Sequence, residues 1–276
     1  MAGYLILVAL CVFGAHAIPR PVAQNSPIHT RVGGNVPAET APHACMVLVH
    51  RTDLEGTNTA ALGGGSIISS RHVLTAAHLV QGSVIRYQIG FIVGTARRLV
   101  EATFRLIHEE FDNTDFKNDI ALIFLQGTAT FPLANAITIS IEPAAPTTGT
   151  ALITAGFGFT AANSTGASSS PFASNQAVAA VCEFDNFELT DTHFCATDES
   201  GATWVCPGDN GSGAYSEGAS IAENRLVGIV SRVLTGCAES QLTGYTIVGQ
   251  YVAWITNVTG IPVPTFIANY NKKHNL

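Results

Sequence analysis

Residues 206–213 read CPGDNGSG, a turn in which three glycines flank the pair Asp209-Asn210. Two motifs precede it, LTAAH at residues 74–78 and NDIAL at residues 118–122. A histidine, a carboxylate and a tight glycine turn therefore follow one another along the chain. The residue at the centre of the turn is an asparagine, whose amide lone pair is delocalised and is a very poor nucleophile. The pattern therefore places a histidine, a carboxylate and an asparagine-centred turn in this order along the chain.

The N-terminal segment is predicted to contain two parts that are removed by proteolysis. Residues 1–17 predict a signal peptide, because the apolar run is too short to span a bilayer and Ala15-His16-Ala17 fits a small-x-small cleavage site. The alternative is a buried N-terminal strand. Residues 18–31 carry three prolines and end in Arg31, which indicates a propeptide. We therefore expect a secreted, extracellular protein.

Composition argues against several classes of ligand. Only 12% of the 276 residues are charged, the net charge is −7, and no basic patch is present. Nucleic acid and anionic membrane surfaces are therefore not expected partners. No cofactor and no metal site is predicted.

The cysteines that follow the signal peptide are odd in number, and they are Cys45, Cys182, Cys195, Cys206 and Cys237. Their spacing suggests the pairs Cys182–Cys195 and Cys206–Cys237. Cys45 lies in an apolar run, where it is either a buried thiol acting as a small hydrophobe or the site of an intermolecular disulfide.

Short apolar runs separated by turn residues dominate the chain after the propeptide. Examples are VIRYQI at 84–89 and IALIFL at 120–125. Such runs predict an all-β sandwich or barrel. Only YVAWI at 251–255 has helical apolar spacing. The folded domain is expected at residues 32–260, and residues 261–276 form a flexible tail.

Four motifs, taken in order, resemble the chymotrypsin-type (trypsin-like) serine proteases, and the match runs from about Arg31 to Ile255. These motifs are TAAH at 75–78, NDIAL at 118–122, C-x-G-D-x-G at 206–211 and YV-x-WI at 251–255. PHA at 42–44 and AGFG at 155–158 look most like insect digestive chymotrypsins. The resemblance implies two antiparallel six-stranded β-barrels, with the active site in the cleft between them and a C-terminal helix.

The same resemblance implies roles for the site residues. His78 is the general base, and Asp119 orients it and stabilises its charged form. Asn210 occupies the position of the nucleophilic serine, so His78 has no hydroxyl to deprotonate. The main-chain N–H groups of Gly208 and Asn210 would still form the oxyanion hole.

Zymogen activation in the family depends on a new N-terminus. Cleavage after a basic residue frees an amino group, which pairs with the aspartate before the nucleophile. Arg31, Val32 and Asp209 resemble these positions. The new end here would be one residue shorter than the usual Ile-Val-Gly-Gly.

Both cysteines of one disulfide that is usual in the family are missing from this chain. The two cysteine positions that flank the histidine strand are Gly63 and Leu79 in this chain. Losing such a bridge typically costs about 2–5 kcal/mol, so other packing must compensate.

The specificity pocket also departs from the family pattern. Trp204 falls at the pocket base, Ser231 begins the strand beside it, and Val233 and Thr243 replace two wall glycines. We expect these side chains to fill the pocket; a shifted loop that turns Trp204 outward is the alternative.

Three Asn-x-Ser/Thr sequons begin at Asn163, Asn210 and Asn257. Asn163, in a polar loop, is the best glycan candidate, followed by Asn257. A folded turn is expected to hide Asn210.

Three functions compete. The leading hypothesis is a secreted, catalytically inactive serine protease homologue that binds a protein or peptide partner through the former cleft or its loops. The first alternative is an active endopeptidase that uses Ser212. The second is a structural or storage β protein.

We predict that a trypsin-like protease cuts the native protein after Arg31, and that the cut raises the thermal midpoint only slightly. A buried ion pair between the Val32 amino group and Asp209 stabilises only with good geometry, and the new end is short. The measurement compares uncut protein, cut protein and cut Asp209→Asn. A large gain that the variant abolishes would show full insertion, and resistance at Arg31 would refute the propeptide.

Overall fold

The computed structural model describes eleven stretches of the chain. They are residues 41–52, 56–93, 96–126, 138–159, 168, 170–184, 187–188, 190–198, 200–201, 203–233 and 242–262.

Six antiparallel strands close the first barrel in the order β1-β2-β3-β6-β5-β4. The strands are β1 (Ala44–Thr52), β2 (Asn58–Ser69), β3 (His72–Thr75), β4 (Arg86–Val93), β5 (Ala96–Ile107) and β6 (Ala121–Leu125). Both faces of the central runs are buried, as in VLT of β3 and ALI of β6, because one face fills the barrel and the other packs outside it.

The pairing of β3 with β6 positions the first half of the site. Thr75 lies opposite Ala121 in this antiparallel pair. The end of β3, which leads to His78, therefore lies beside the start of β6, which follows Asp119.

A second ring of strands forms the other half of the molecule, and its order is β13-β8-β9-β12-β15-β14, closed by pairing of β13 with β14. A further short strand, β7, pairs in parallel with β14. The strands are β7 (Ser140–Ile141), β8 (Ala151–Gly156), β9 (Phe172–Val178), β12 (His193–Thr197), β13 (Gly213–Ser216), β14 (Arg225–Val233) and β15 (Thr243–Ile247), with β10 (Glu183–Phe184) and β11 (Phe187–Glu188) as a separate hairpin. The predicted all-β fold of two six-stranded barrels is confirmed, with β7 as an addition.

Helices are few and short. The helix α1 (Ala77–Val80) carries His78. The helix α2 (Val252–Thr259) is followed by Gly260, whose φ of 69° gives the left-handed cap that favours glycine. Two 3-10 turns cover Ile221–Glu223 and Val248–Tyr251. The predicted C-terminal helix is confirmed. In the described part of the chain, none of the helices has the length and apolar character needed to cross a membrane.

The two barrels meet through glycine backbone. A Cβ atom on Gly64 of β2 would overlap Ser212 Oγ and lie 2.9 Å from Ser212 Cα. A Cβ atom on Gly158 would lie 2.5 Å from Asp209 Cγ. The backbone of β2 and the loop after β8 can therefore approach the turn at 206–213 this closely only because they carry no side chain there.

Leucine packing replaces the missing disulfide. A Cβ atom on Gly63 would overlap Leu79 Cδ2, so the Leu79 side chain occupies the space that a cysteine at position 63 would need. Leu79 itself is buried, with 7% of its surface exposed. The substitutions at Gly63 and Leu79 are complementary in volume.

The cysteine predictions have three outcomes. The Cys182–Cys195 disulfide is confirmed. Cys206 is disulfide-bonded, and its predicted partner Cys237 lies outside the described residues. Cys45 is a free thiol that is 1% exposed inside the first barrel, where burial raises its pKa. Its burial favours the role of a small core hydrophobe over that of an intermolecular bridge.

We predict that Gly64→Ala lowers the free energy of unfolding by about 1–3 kcal/mol, because the new methyl group meets the Ser212 backbone. Gly90→Ala is the matched control, since its Cβ atom would lie 2.7 Å from Met46 Cε, the flexible end of a side chain. Urea unfolding measures both variants. An equal cost for the two would contradict the close approach of the barrels.

Candidate active site

The His78 side chain is hydrogen-bonded to the buried carboxylate of Asp119. His78 Nδ1 lies 2.7 Å from Asp119 Oδ2, and the His78 main-chain N–H donates to Asp119 Oδ1 at 2.9 Å. The histidine side chain is 15% exposed and the aspartate side chain is fully buried. The carboxylate thus fixes both the ring and the backbone of α1, and it leaves His78 Nε2 on the open side.

A third donor to Asp119 comes from the second barrel. Ser231 Oγ on β14 donates to Asp119 Oδ2 at 2.5 Å. His193 Nε2 lies 3.3 Å from the same hydroxyl, and burial lowers the pKa of His193 to about 4, so this ring is neutral. The sequence placed Ser231 in the specificity pocket; its hydroxyl lies on the Asp119 carboxylate, a contact that spans 112 residues of chain.

The loop before Asp119 supplies an aromatic wall that sequence reasoning missed. Phe116 and Asn118 have φ values of 62° and 57°, in the region that non-glycine residues rarely adopt. Asn118 is held by hydrogen bonds to the Glu110 carbonyl and from Tyr251 Oη. The loop is therefore fixed at its base.

Phe116 lies between two side chains of the cleft. Its ring centroid is 5.1 Å from that of His78, and Arg232 Cζ lies 3.4 Å from the Phe116 centroid. Arg232 follows Ser231 on β14. The stack bridges the two barrels beside the histidine, and a guanidinium over a phenyl face is a stabilising cation–π contact.

Main-chain contacts hold Asn210 in the turn. The Gly64 N–H donates to the Asn210 carbonyl at 2.8 Å, and the Gly211 N–H donates to the Val230 carbonyl at 2.8 Å. Gly208 and Gly211 have φ values of 88° and 86°, which explains the glycines on either side of the Asp209-Asn210 pair.

The turn packs directly against the segment that leads to His78. A Cβ atom on Gly211 would overlap Thr75 Oγ1 and lie 3.3 Å from the Ala76 nitrogen. The turn that carries Asn210 therefore lies beside the segment that leads to His78. Around them, the main-chain N–H groups of Gly208 and Asn210 make no hydrogen bond to the described residues.

Ser212 points away from this place. Ser212 is 1% exposed. Its Oγ lies so close to two glycines that a Cβ atom added to Gly64 would overlap it and one added to Gly156 would lie 2.5 Å from it. No hydrogen-bond partner for this hydroxyl occurs among the described residues. The glycine-lined contact between the barrels, rather than the histidine, surrounds Ser212 Oγ.

Asp209, the residue expected to receive a new N-terminus, is fully buried. Its carboxylate accepts hydrogen bonds from the Gly158 N–H at 2.9 Å and the Cys206 N–H at 3.0 Å. Arg31 and Val32, the other two activation residues, lie outside the described residues.

The predicted pocket residues are mostly buried. Trp204 is 2% exposed and packs with Cys206 and Phe159, so its side chain points inward. Val233 and Thr243 lie directly opposite each other in the β14–β15 pair. The two substituted wall positions thus face one another across neighbouring strands.

Two remaining predictions fall at the periphery. Asn257 is exposed on α2, as a glycan acceptor must be, whereas Asn163 lies outside the described residues. In the described part of the chain, no group of three His, Cys, Asp or Glu side chains could hold a metal ion.

We predict that Ser231→Ala lowers the free energy of unfolding by about 1–3 kcal/mol, because it removes a donor from a buried carboxylate. Ser212→Ala is the matched control: it removes an equally buried hydroxyl that has no hydrogen-bond partner among the described residues, so it should be nearly neutral. Chemical denaturation compares the two. Equal losses would mean that the Ser231–Asp119 contact contributes nothing to stability.

Comparison with known proteins agrees with this geometry. The family model described as Trypsin matches residues 32–255. Trypsin Blo t 3 of Blomia tropicalis is 30% identical over 74% of this chain and 79% of its own length. Serine protease 1 of Homo sapiens is 32% identical over 70% of this chain and 78% of its own length. Serine protease SP24D of Anopheles gambiae is 30% identical over 88% of this chain and 84% of its own length. With a histidine–aspartate pair set between two β-barrels, the chain belongs to the trypsin family of serine proteases.

Proposed function

We propose that this protein is a catalytically inactive member of the trypsin family, which acts by binding a protein or peptide partner through the former active-site cleft or its loops. The single observation that carries the proposal is Asn210, which occupies the centre of the Gly-Asp-x-Gly turn where the family has its nucleophile. His78 and Asp119 are hydrogen-bonded to each other, and main-chain contacts hold the turn. Acyl transfer needs a group that can attack a carbonyl carbon, and an amide nitrogen cannot.

The nearest replacement for the nucleophile is badly placed. Ser212 lies two residues beyond Asn210, and its hydroxyl is enclosed by Gly64 and Gly156. Attack would require the side chain to leave a fully packed contact between the barrels and His78 to be within hydrogen-bond reach. This burial supports the inactive reading over the active endopeptidase.

The pocket supports the same conclusion. Trp204 at the expected pocket base is buried, and Val233 and Thr243 stand where the family has wall glycines. We propose that these side chains fill the space that a substrate side chain would need. Binding energy from that side chain is part of what drives the reaction in an efficient protease. A partner would therefore be recognised elsewhere in the cleft or on the loops around it.

Secretion and lineage are part of the proposal. The disulfide between Cys182 and Cys195 is the kind of bond that persists in an oxidising, extracellular compartment, which accords with a signal peptide at residues 1–17 and a propeptide at residues 18–31. The insect digestive chymotrypsin branch is proposed from the PHA motif at 42–44 and the AGFG motif at 155–158.

We predict that the protein, cut after Arg31, is not labelled by a fluorophosphonate probe and hydrolyses no peptide amide or ester substrate. Removing the nucleophile in a related triad enzyme costs about a million-fold in turnover. In-gel fluorescence of the probe, with bovine trypsin as a positive control, measures this.

A serine adduct that disappears in Ser212→Ala would establish the active endopeptidase instead. A pull-down from the secreted fluid distinguishes a binding function from a structural or storage role, because only the former predicts a stoichiometric partner that is lost when cleft residues are changed.

A further inference from the structure

A groove of about 170 Å³ lies between β7 and the C-terminal helix α2. Its walls are mainly aliphatic and include Ile68, Ile139, Ile141, Ile255 and Ile261. The first two and Ile255 are buried in the fold, whereas Ile141 and Ile261 are only partly covered. None of the described residues that line the groove belongs to the candidate active site. The groove therefore has a fixed apolar floor and a rim that another group can cover.

The size and lining of the groove suit one aromatic ring. An apolar cavity of about 150 Å³ lined by aliphatic side chains stays dry and binds benzene. The volume here is about the same, and the isoleucine walls offer no charged group to such a ring. Covering this surface with a phenyl group would remove apolar area from water on both sides, which is the main favourable contribution to such a contact.

Hydrogen bonds at the end of α2 direct the chain along the wall of the groove. The Gly260 N–H donates to the Thr256 carbonyl at 2.8 Å. Thr259 Oγ1 donates to the Ile255 carbonyl at 2.6 Å and accepts from the Ile261 N–H at 3.1 Å. These bonds reverse the chain after the helix, so that Ile261 and the following Pro262 line the groove. The described chain therefore ends at the groove itself.

The sequence that follows Pro262 supplies a ring within reach. Residues 263–267 read VPTFI and lie outside the described residues. The prolines at 262 and 264 restrict their own φ angles and favour extended backbone in the residues before them. Phe266 is the first aromatic residue of this segment, and four residues of extended chain span up to about 14 Å. A phenyl group therefore follows the groove wall at a distance that lets it enter the groove.

We propose that this groove is a docking site for the chain's own C-terminal segment, and that the Phe266 side chain fills it. Docking would hold residues 263–267 on the folded domain, in place of the flexible tail that is expected from the sequence. The basic pair Lys272-Lys273 would then leave the domain near a fixed point. The inference goes beyond the proposed binding function and does not depend on it, because the groove and the cleft share no described lining residue.

Limited proteolysis of the full-length protein by chymotrypsin tests the proposal. Mass spectrometry measures the cleavage rates after Phe266 and after Tyr270, and each rate is divided by the rate at the same bond in a free synthetic peptide of residues 261–276. We expect cleavage after Phe266 to be slowed about tenfold or more, because a docked segment must leave the groove before a protease can bind it. Cleavage after Tyr270 serves as the internal comparison and should be slowed less.

A variant of α2 locates the docking site. Thr256 lines the groove, so Thr256→Trp places an indole ring there and should restore cleavage after Phe266 to the rate in the free peptide. Ala253→Trp is the matched control, since Ala253 is exposed on the same helix and does not line the groove, and it should keep the slow cleavage. Melting temperatures confirm that both variants are folded.

Benzene identifies the occupant independently of any protease. Phe266→Ala removes the proposed ring, so benzene should enter the groove and raise the melting temperature of this variant by about 1 °C or more. The unaltered protein should not respond, because its groove is already filled. Phe131→Ala is the comparison, since residues 127–137 precede Thr138 at the groove and carry the competing aromatic side chain, and it should not respond either.

Three results overturn the proposal. Cleavage after Phe266 as fast as in the free peptide would show that the segment is not docked, and a benzene response of the unaltered protein would then leave the groove to a separate partner. Slow cleavage that persists in a folded Thr256→Trp variant would place the segment elsewhere on the domain. A benzene response in Phe131→Ala but not in Phe266→Ala would assign the groove to residues 127–137. None of these results bears on the inactivity of the cleft, which the fluorophosphonate probe tests separately.

Discussion

The buried carboxylate of Asp119 is the constraint on which the arrangement of the two barrels depends. It is fully buried, and an unpaired charge in such a place would cost several kcal/mol. Its donors come from α1 of the first barrel and β14 of the second, while Thr246 Oγ1 on β15 donates to its main-chain carbonyl at 3.0 Å. Satisfying one side chain therefore requires both barrels to be docked in register.

This constraint explains how a histidine–aspartate pair can persist without a nucleophile. Replacing His78 would remove a hydrogen bond to the buried Asp119 carboxylate, so the pair has a structural value that is separate from catalysis. The Asn210 side chain has no comparable structural role, because the turn is held by the main-chain carbonyl of Asn210 and the N–H of Gly211. The side chain at position 210 is thus free to change while the fold is kept.

The elements that repeat a local pattern could be predicted from the sequence. Apolar runs such as IALIFL gave the strands, YVAWI gave α2, and the flanks of His78 and Asp119 placed both residues at strand ends. Contacts that depend on distant parts of the chain could not be predicted. No local signal connects Ser231 with Asp119 or Arg232 with Phe116, since each pair meets only when the barrels dock. The two-residue strand β7 is also too short to leave a periodic pattern.

Two departures from the family pattern, at Gly63 with Leu79 and at Asn210, differ in what they change: the first concerns side-chain volume and the second concerns polarity. Leu79 against Gly63 conserves the space of a lost disulfide, and such a swap needs only that the combined volume be kept. Asn210 is different, because it replaces a hydroxyl with an amide that brings an additional donor into a place already lined by main-chain N–H groups. The Asn210 carbonyl still accepts from the Gly64 N–H at 2.8 Å, so the main-chain contact that holds the turn does not depend on the side chain at position 210.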